Sequence, residues 1–171
     1  MKMTWPLTAT QFTLSLVVFC IFGFTARTEA AMSGKLAGFA SFYGQGETQE
    51  HAPDMLVWTG AFHGQSVTDS GAGLFHYSAW DCTGEMAYRN QKVSYGGGFC
   101  AVTDPDGDKV NLRWEVDEPE ANPVKLKTKG VYLSGSGKYT GIQGGYNFLC
   151  ELVADTTHYI CRIVGGEYTA P

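Results

Sequence analysis

The chain has 171 residues, with 12 Lys plus Arg against 17 Asp plus Glu and a formal net charge of −5 at pH 7. That acidic balance, without a basic face, argues against nucleic acid as a partner. Glycine is abundant at 22 and proline scarce at 6, and after the N-terminal segment no long apolar period of the helical kind appears, so one all-β domain is expected.

Residues 1–31 read as an export signal. Lys2 gives the positive start, 14–24 (LSLVVFCIFGF) the apolar stretch, and Thr28-Glu29-Ala30 before Ala31-Met32 the small residues a peptidase needs. The apolar stretch is shorter than the roughly 20 residues of a membrane span, so no span is expected once it is cleaved. Cys20 follows the bulky Phe19, where a lipoprotein signal would place a small residue. Cleavage removes Lys2, Arg27 and Glu29, leaving 10 basic and 16 acidic side chains and a charge near −6 on residues 32–171. It also removes Cys20 and leaves an even set, Cys82, Cys100, Cys150 and Cys161. An even set after a signal points to disulfides in the periplasm or outside the cell.

Along 32–171, short β-rich runs are broken by Gly, Asp and Asn. They fall at 36–43, 55–62, 74–80, 93–103, 110–116, 131–133, 146–153 and 159–164. Eight strands suffice to close a small antiparallel barrel and remove its edges. Residues 45–53 (QGETQEHAP) and 117–123 (DEPEANP) read as polar loops flanking a barrel mouth. From 109 to 116 the alternation is clean: Val110, Leu112, Trp114 and Val116 share one face, and Lys109, Asn111, Arg113 and Glu115 the other. Lys125, Lys127 and Lys129 take every second position, as on a solvated strand face. Tyr146, Phe148 and Cys150 likewise share a face.

Asp104-Pro105-Asp106-Gly107-Asp108 is a turn: Pro presets φ, and Gly supplies φ > 0. A hairpin centred between Asp155 and Thr156 places Cys150 opposite Cys161. A loop centred on Gln91 places Cys82 opposite Cys100. Directly opposed residues lie within disulfide reach. Of three connectivities, Cys82–Cys100 and Cys150–Cys161 are therefore expected. Zinc is disfavoured, because no C-x-x-C spacing or neighbouring histidine accompanies the four cysteines.

Asp104, Asp106 and Asp108 are also the candidate calcium ligands. Counted from Asp104, Glu115 falls on the twelfth position of an EF-hand loop, but Lys109 stands where glycine is required. His63 and His76 end and begin neighbouring runs and could approach one another; His51 and His158 have no such neighbour. Gly64-Gln65-Ser66-Val67-Thr68 lacks the last glycine of a nucleophile elbow. Glu85, Glu115 and Glu151 would serve as acids or bases only if they pointed inward. No catalytic residue can be assigned and no cofactor is expected. Aromatic residues on the runs are the remaining candidates. Trp58, Phe62, Phe75, Trp80, Trp114 and Tyr146 would wall a cavity for a small apolar or aromatic ligand, or simply fill the core.

The segments 81–84 (DCTG), 98–104 (GFCAVTD) and 106–108 (DGD), with Trp114 and 135–144 (GSGKYTGIQG), resemble a group of small exported bacterial proteins. A similar glycine-rich phrase occurs in allene oxide cyclase and dirigent barrels. The resemblance implies an eight-stranded antiparallel barrel of calycin-like shape over 32–171; physically, the glycines of the phrase allow a tight corner that turns Tyr139 and Ile142 back onto the core. It also raises a cyclase-like or dirigent-like activity that steers a reactive intermediate. The polar residues those proteins use match nothing placeable in this chain, so none is carried over. A filled envelope or interaction barrel is the third expectation.

Overall fold

The computed structural model describes residues 31–118 and 121–171; the export segment, apart from Ala31, lies outside them. Nine strands follow in order: β1 (Met32–Lys35), β2 (Gly38–Ala52), β3 (Met55–Thr68), β4 (Ser78–Arg89), β5 (Lys92–Thr103), β6 (Lys109–Val116), β7 (Lys125–Gly135), β8 (Gln143–Leu152) and β9 (His158–Ala170). All pairings are antiparallel, and β2 to β9 close into a ring of eight because β9 pairs with both β2 and β8. Strand β1 continues the line of β2 along the last residues of β9, from Met32 opposite Ala170 to Lys35 opposite Glu167. Among the described residues no helix is long and apolar enough to cross a membrane.

The period of two sets the inside of the barrel. Even-numbered residues face inward from β2 to β8, among them Phe42, Trp80, Cys82, Cys100, Leu112, Leu126, Tyr146 and Phe148, except that Val93, ahead of the Ser94 bulge on β5, is the inward residue there. On β9 the first inward residues are odd, Tyr159, Cys161 and Ile163; Val164 is then an unmatched residue, after which Tyr168 and Ala170 face in. Such a bulge flips the parity of everything beyond it.

Both disulfides join directly opposed residues, Cys82 to Cys100 with Cα atoms 3.9 Å apart and Cys150 to Cys161 at 4.0 Å. The β8–β9 register has the expected centre. The β4–β5 hairpin reaches its register differently. Its turn is Asn90-Gln91, both at positive φ, and Ser94 is an extra residue on β5. The one-residue bulge moves the centre onto Gln91 for the rest of the hairpin.

Three expected boundaries change. Residues 45–53 are largely strand: β2 runs to Ala52 and pairs with β3 down to Met55, leaving Pro53-Asp54 as the turn. Backbone pairing with β3 holds the segment although almost all its side chains are exposed. Residues 74–77 are turn rather than strand, and β4 begins at Ser78. Phe75 and Tyr77 there have φ of 72° and 51°, which a strand cannot contain. Finally, β7 extends well beyond 131–133 and carries the three lysines on its outer face, paired with Glu151, Asp117, Glu118 and Glu115.

Candidate functional site: a cup at one end of the barrel

The two barrel ends differ. At one end the β3–β4 connection folds inward and drives Leu74 and Phe75 into the core, where Phe75 is 0 % exposed. Its ring lies 4.5 Å from that of Trp80 and 5.5 Å from that of Tyr146. Ser66 holds the floor together: its Oγ donates to the Phe75 carbonyl at 2.7 Å and accepts from Trp80 Nε1 at 2.8 Å. Tyr139 and Ile142 of the β7–β8 connection are also buried at this end.

That connection is fastened by charge. Lys138 places its Nζ 2.5 Å from Asp104 Oδ2 and 2.5 Å from Asp106 Oδ2. Asp104 Oδ1 accepts the backbone N–H groups of Asp106 and Asp108, at 2.9 and 3.0 Å. Burial works to raise the Asp104 pKa; hydrogen bonds from Lys138 and Tyr139 and the Lys138 charge outweigh it and hold the carboxyl below its ordinary value. Gly137 passes so close that a Cβ there would stand 1.8 Å from Asp108 Oδ1. The aspartate triplet weighed for calcium is a turn whose Asp104 and Asp106 carboxylates receive the Lys138 ammonium, while Asp108 accepts the Lys138 backbone N–H. Among the described residues no group of three or more His, Cys, Asp or Glu side chains is arranged for a metal.

The other end, at the β2–β3, β4–β5, β6–β7 and β8–β9 connections, stays open. Trp58, Phe62, Tyr88, Trp114, Val116 and Leu152 pack against the core there while remaining partly exposed. The β6–β7 connection narrows the opening: Ala121 pairs with Val93, and the Pro123 carbonyl accepts from the Tyr159 hydroxyl at 3.4 Å. Beneath lies a cavity of about 70 Å³. Its floor is Phe42, Trp80, Tyr146 and Phe148, and Phe62, Trp114, Tyr159, Met86 and Leu126 line it towards the mouth. Both disulfides face it. Because β4–β5 and β8–β9 are four strands apart in a ring of eight, the two bridges stand on opposite walls.

Glycines make room for these rings. A Cβ on Gly60 would meet Trp58 Cζ2 at 2.6 Å, one on Gly84 would meet Trp114 Cζ2 at 2.7 Å, and one on Gly130 would meet Tyr146 Cε1 at 2.1 Å. Each ring packs against bare glycine backbone, that of its own strand for Trp58, of β4 two strands away for Trp114 and of the adjacent β7 for Tyr146, which lets aromatics of this size share a narrow barrel.

Of the six expected wall residues, Phe62, Trp80, Trp114 and Tyr146 line the cavity. Trp58 sits at the mouth, with its ring 4.8 Å from that of Phe62. Phe75 lies beneath the floor in the β3–β4 connection rather than on a strand. Phe148, expected on the same face as Tyr146, lines the cavity too, and Phe42, Tyr159 and Thr128 also line it and were not singled out from sequence. The outward lysines at 125, 127 and 129 already put Leu126 and Thr128 on the inward face, so that signal was present. Glu85, Glu115 and Glu151 lie on the outer face. His63 and His76 take separate partners, Asp81 at 2.9 Å and Thr68 Oγ1 at 3.1 Å.

Among the described residues the cavity wall contains no carboxylate, histidine, lysine or arginine. The polar side-chain groups of its lining residues are the Thr128, Tyr146 and Tyr159 hydroxyls and the indoles of Trp114 and Trp80, the latter already bonded to Ser66. Burial raises the Tyr146 and Tyr159 pKa values, so both stay neutral at ordinary pH. Trp114 Nε1 is buried without a hydrogen-bond partner, which costs on the order of 1–3 kcal/mol.

These features define a class: an all-β, closed, eight-stranded antiparallel barrel with two disulfides, compatible with a calycin-like shape. No protein-family model matches the chain, and no curated protein matches its sequence significantly.

Proposed function

We propose that the protein is an exported binding module that takes a small apolar or aromatic group into the open end of its barrel. The asymmetry of the two ends supports this reading. One end is plugged by Phe75, Leu74, Tyr139 and Ile142, while the other leaves Trp58, Phe62 and Trp114 partly exposed above an apolar floor. Two disulfides suit an oxidising compartment, periplasmic or extracellular. At about 70 Å³, the cup is far below the roughly 300–1,000 Å³ of drug-sized ligand sites. The guest is therefore a single ring or the end of a chain inserted from the mouth. A cyclase-like or dirigent-like activity would have to proceed with neutral hydroxyls and indole N–H groups among the described wall residues, which makes binding the better-supported reading.

The test is native mass spectrometry of the oxidised protein recovered from its own host, followed by titration with one-ring probes watched by tryptophan fluorescence. A co-purifying apolar compound, or a saturable fluorescence change, supports binding. An empty protein with no saturable response to millimolar probe refutes it and leaves the filled structural barrel.

A further inference from the structure

We propose that Trp114 is both the movable wall of the cup and its recognition donor. A guest ring bearing a neutral hydrogen-bond acceptor displaces the indole and receives its N–H. This rests on the binding reading above. A cavity of about 150 Å³ accommodates benzene; the cup has about 70 Å³, so a single ring enters only if part of the wall moves.

The floor is not that part. Trp80 is 1 % exposed and its N–H is held by Ser66 at 2.8 Å. Phe75 supports it from below. Trp114 differs in exposure and in hydrogen bonding, with only the Phe62 ring edge-on to it at 5.9 Å among its ring contacts with described residues. It is partly exposed at the mouth, and its ring lies against Gly84, with Gly98 directly opposite it in register, so no side chain at either position locks it. Its Nε1 has no partner, so rotating the ring breaks no hydrogen bond. Once the ring is turned towards the cup, the same N–H can donate, and an indole nitrogen can only donate. The guest must then supply an acceptor. With no charged side chain among the described wall residues, an ionic guest would stay unpaired against them, and a neutral acceptor such as a carbonyl, nitrile or ether fits.

Benzonitrile and phenylacetylene test this, because they share a shape and differ in acceptor strength. In the ¹⁵N-labelled oxidised protein, benzonitrile should move one indole N–H resonance. That resonance should be the one missing from Trp114→Phe. The affinity ratio of benzonitrile to phenylacetylene should fall about fivefold in Trp114→Phe, the scale of one neutral hydrogen bond. Using the ratio cancels the difference in water solubility between the probes. If the ratio is the same in both proteins, or the shifted indole belongs to Trp58 or Trp80, the inference is wrong while binding stands. If neither probe binds the wild type, both readings fall. The indole resonances can also be assigned on the wild type from their through-space contacts, so the shift does not depend on the variant folding.

Discussion

Lys138→Met tests how the plugged end is held. The substitution keeps the side-chain length and removes the ammonium. Asp104, whose side chain is 5 % exposed, then loses its cation while keeping the two backbone N–H donors of the turn. A hydrogen bond to a charged group contributes about 1.5–3 kcal/mol. The Asp106 arm is 75 % exposed and adds no more than about 0.5 kcal/mol. The expected loss is therefore about 2–3 kcal/mol at pH 7. Asp104→Asn preserves the shape and the turn acceptor and should cost about 2 kcal/mol by the same principle. The double variant contains no unpaired charge, so its loss should fall short of the sum by about 1.5 kcal/mol. The pH dependence has a fixed sign. The folded pKa of Asp104 is below its ordinary 3.8, so the stabilisation is complete above that value and disappears as pH falls through the folded pKa. Lys138 is shifted upward from its ordinary 10.5, so its contribution is complete below 10.5 and is lost only at more alkaline pH. Urea unfolding monitored by tryptophan fluorescence, run at pH 7 and at acid pH down to 2, measures all four proteins. Additive losses, with coupling under about 0.5 kcal/mol, would refute the fastening. So would a wild-type advantage over Lys138→Met that does not shrink towards pH 2.

The disulfides close segments of 18 and 11 residues, which on the chain-entropy account gives about 3 kcal/mol each. Replacing either pair with alanine should lower the urea midpoint accordingly; an unchanged midpoint would show that the β-ladder alone sets the register. Phe75→Ala removes a fully buried ring from beneath Trp80 and should cost about 3–5 kcal/mol in the same assay. A loss under about 1 kcal/mol would mean that the β3–β4 connection does not plug the barrel.

Much of the fold was legible because it follows from local arithmetic. The alternation at 109–116 and the shared face of Tyr146, Phe148 and Cys150 assign inside and outside directly. Equal spacing about a turn assigned both disulfides. The β4–β5 hairpin was right for an incomplete reason: a two-residue turn plus the Ser94 bulge gives the same register as a three-residue loop. Strand membership failed where partners rather than side chains decide it. The stretch 45–52 has no buried apolar face, yet β3 pairs with its backbone. Residues 74–77 have the composition of a strand, yet they turn inward at positive φ because the barrel end needs a plug.

The candidate site divides in the same way. The sequence alone supplied an all-β chain, its strand faces, two covalent staples and the aromatic set, since periodicity and spacing are properties of a single segment. The tertiary structure decided which barrel end is closed, how small the remaining cup is, and that Lys138 occupies the aspartate turn. It also decided that Trp80 is hydrogen-bonded while Trp114 is not. Each of these depends on residues from different strands meeting across a ring, a distance no one-dimensional pattern contains.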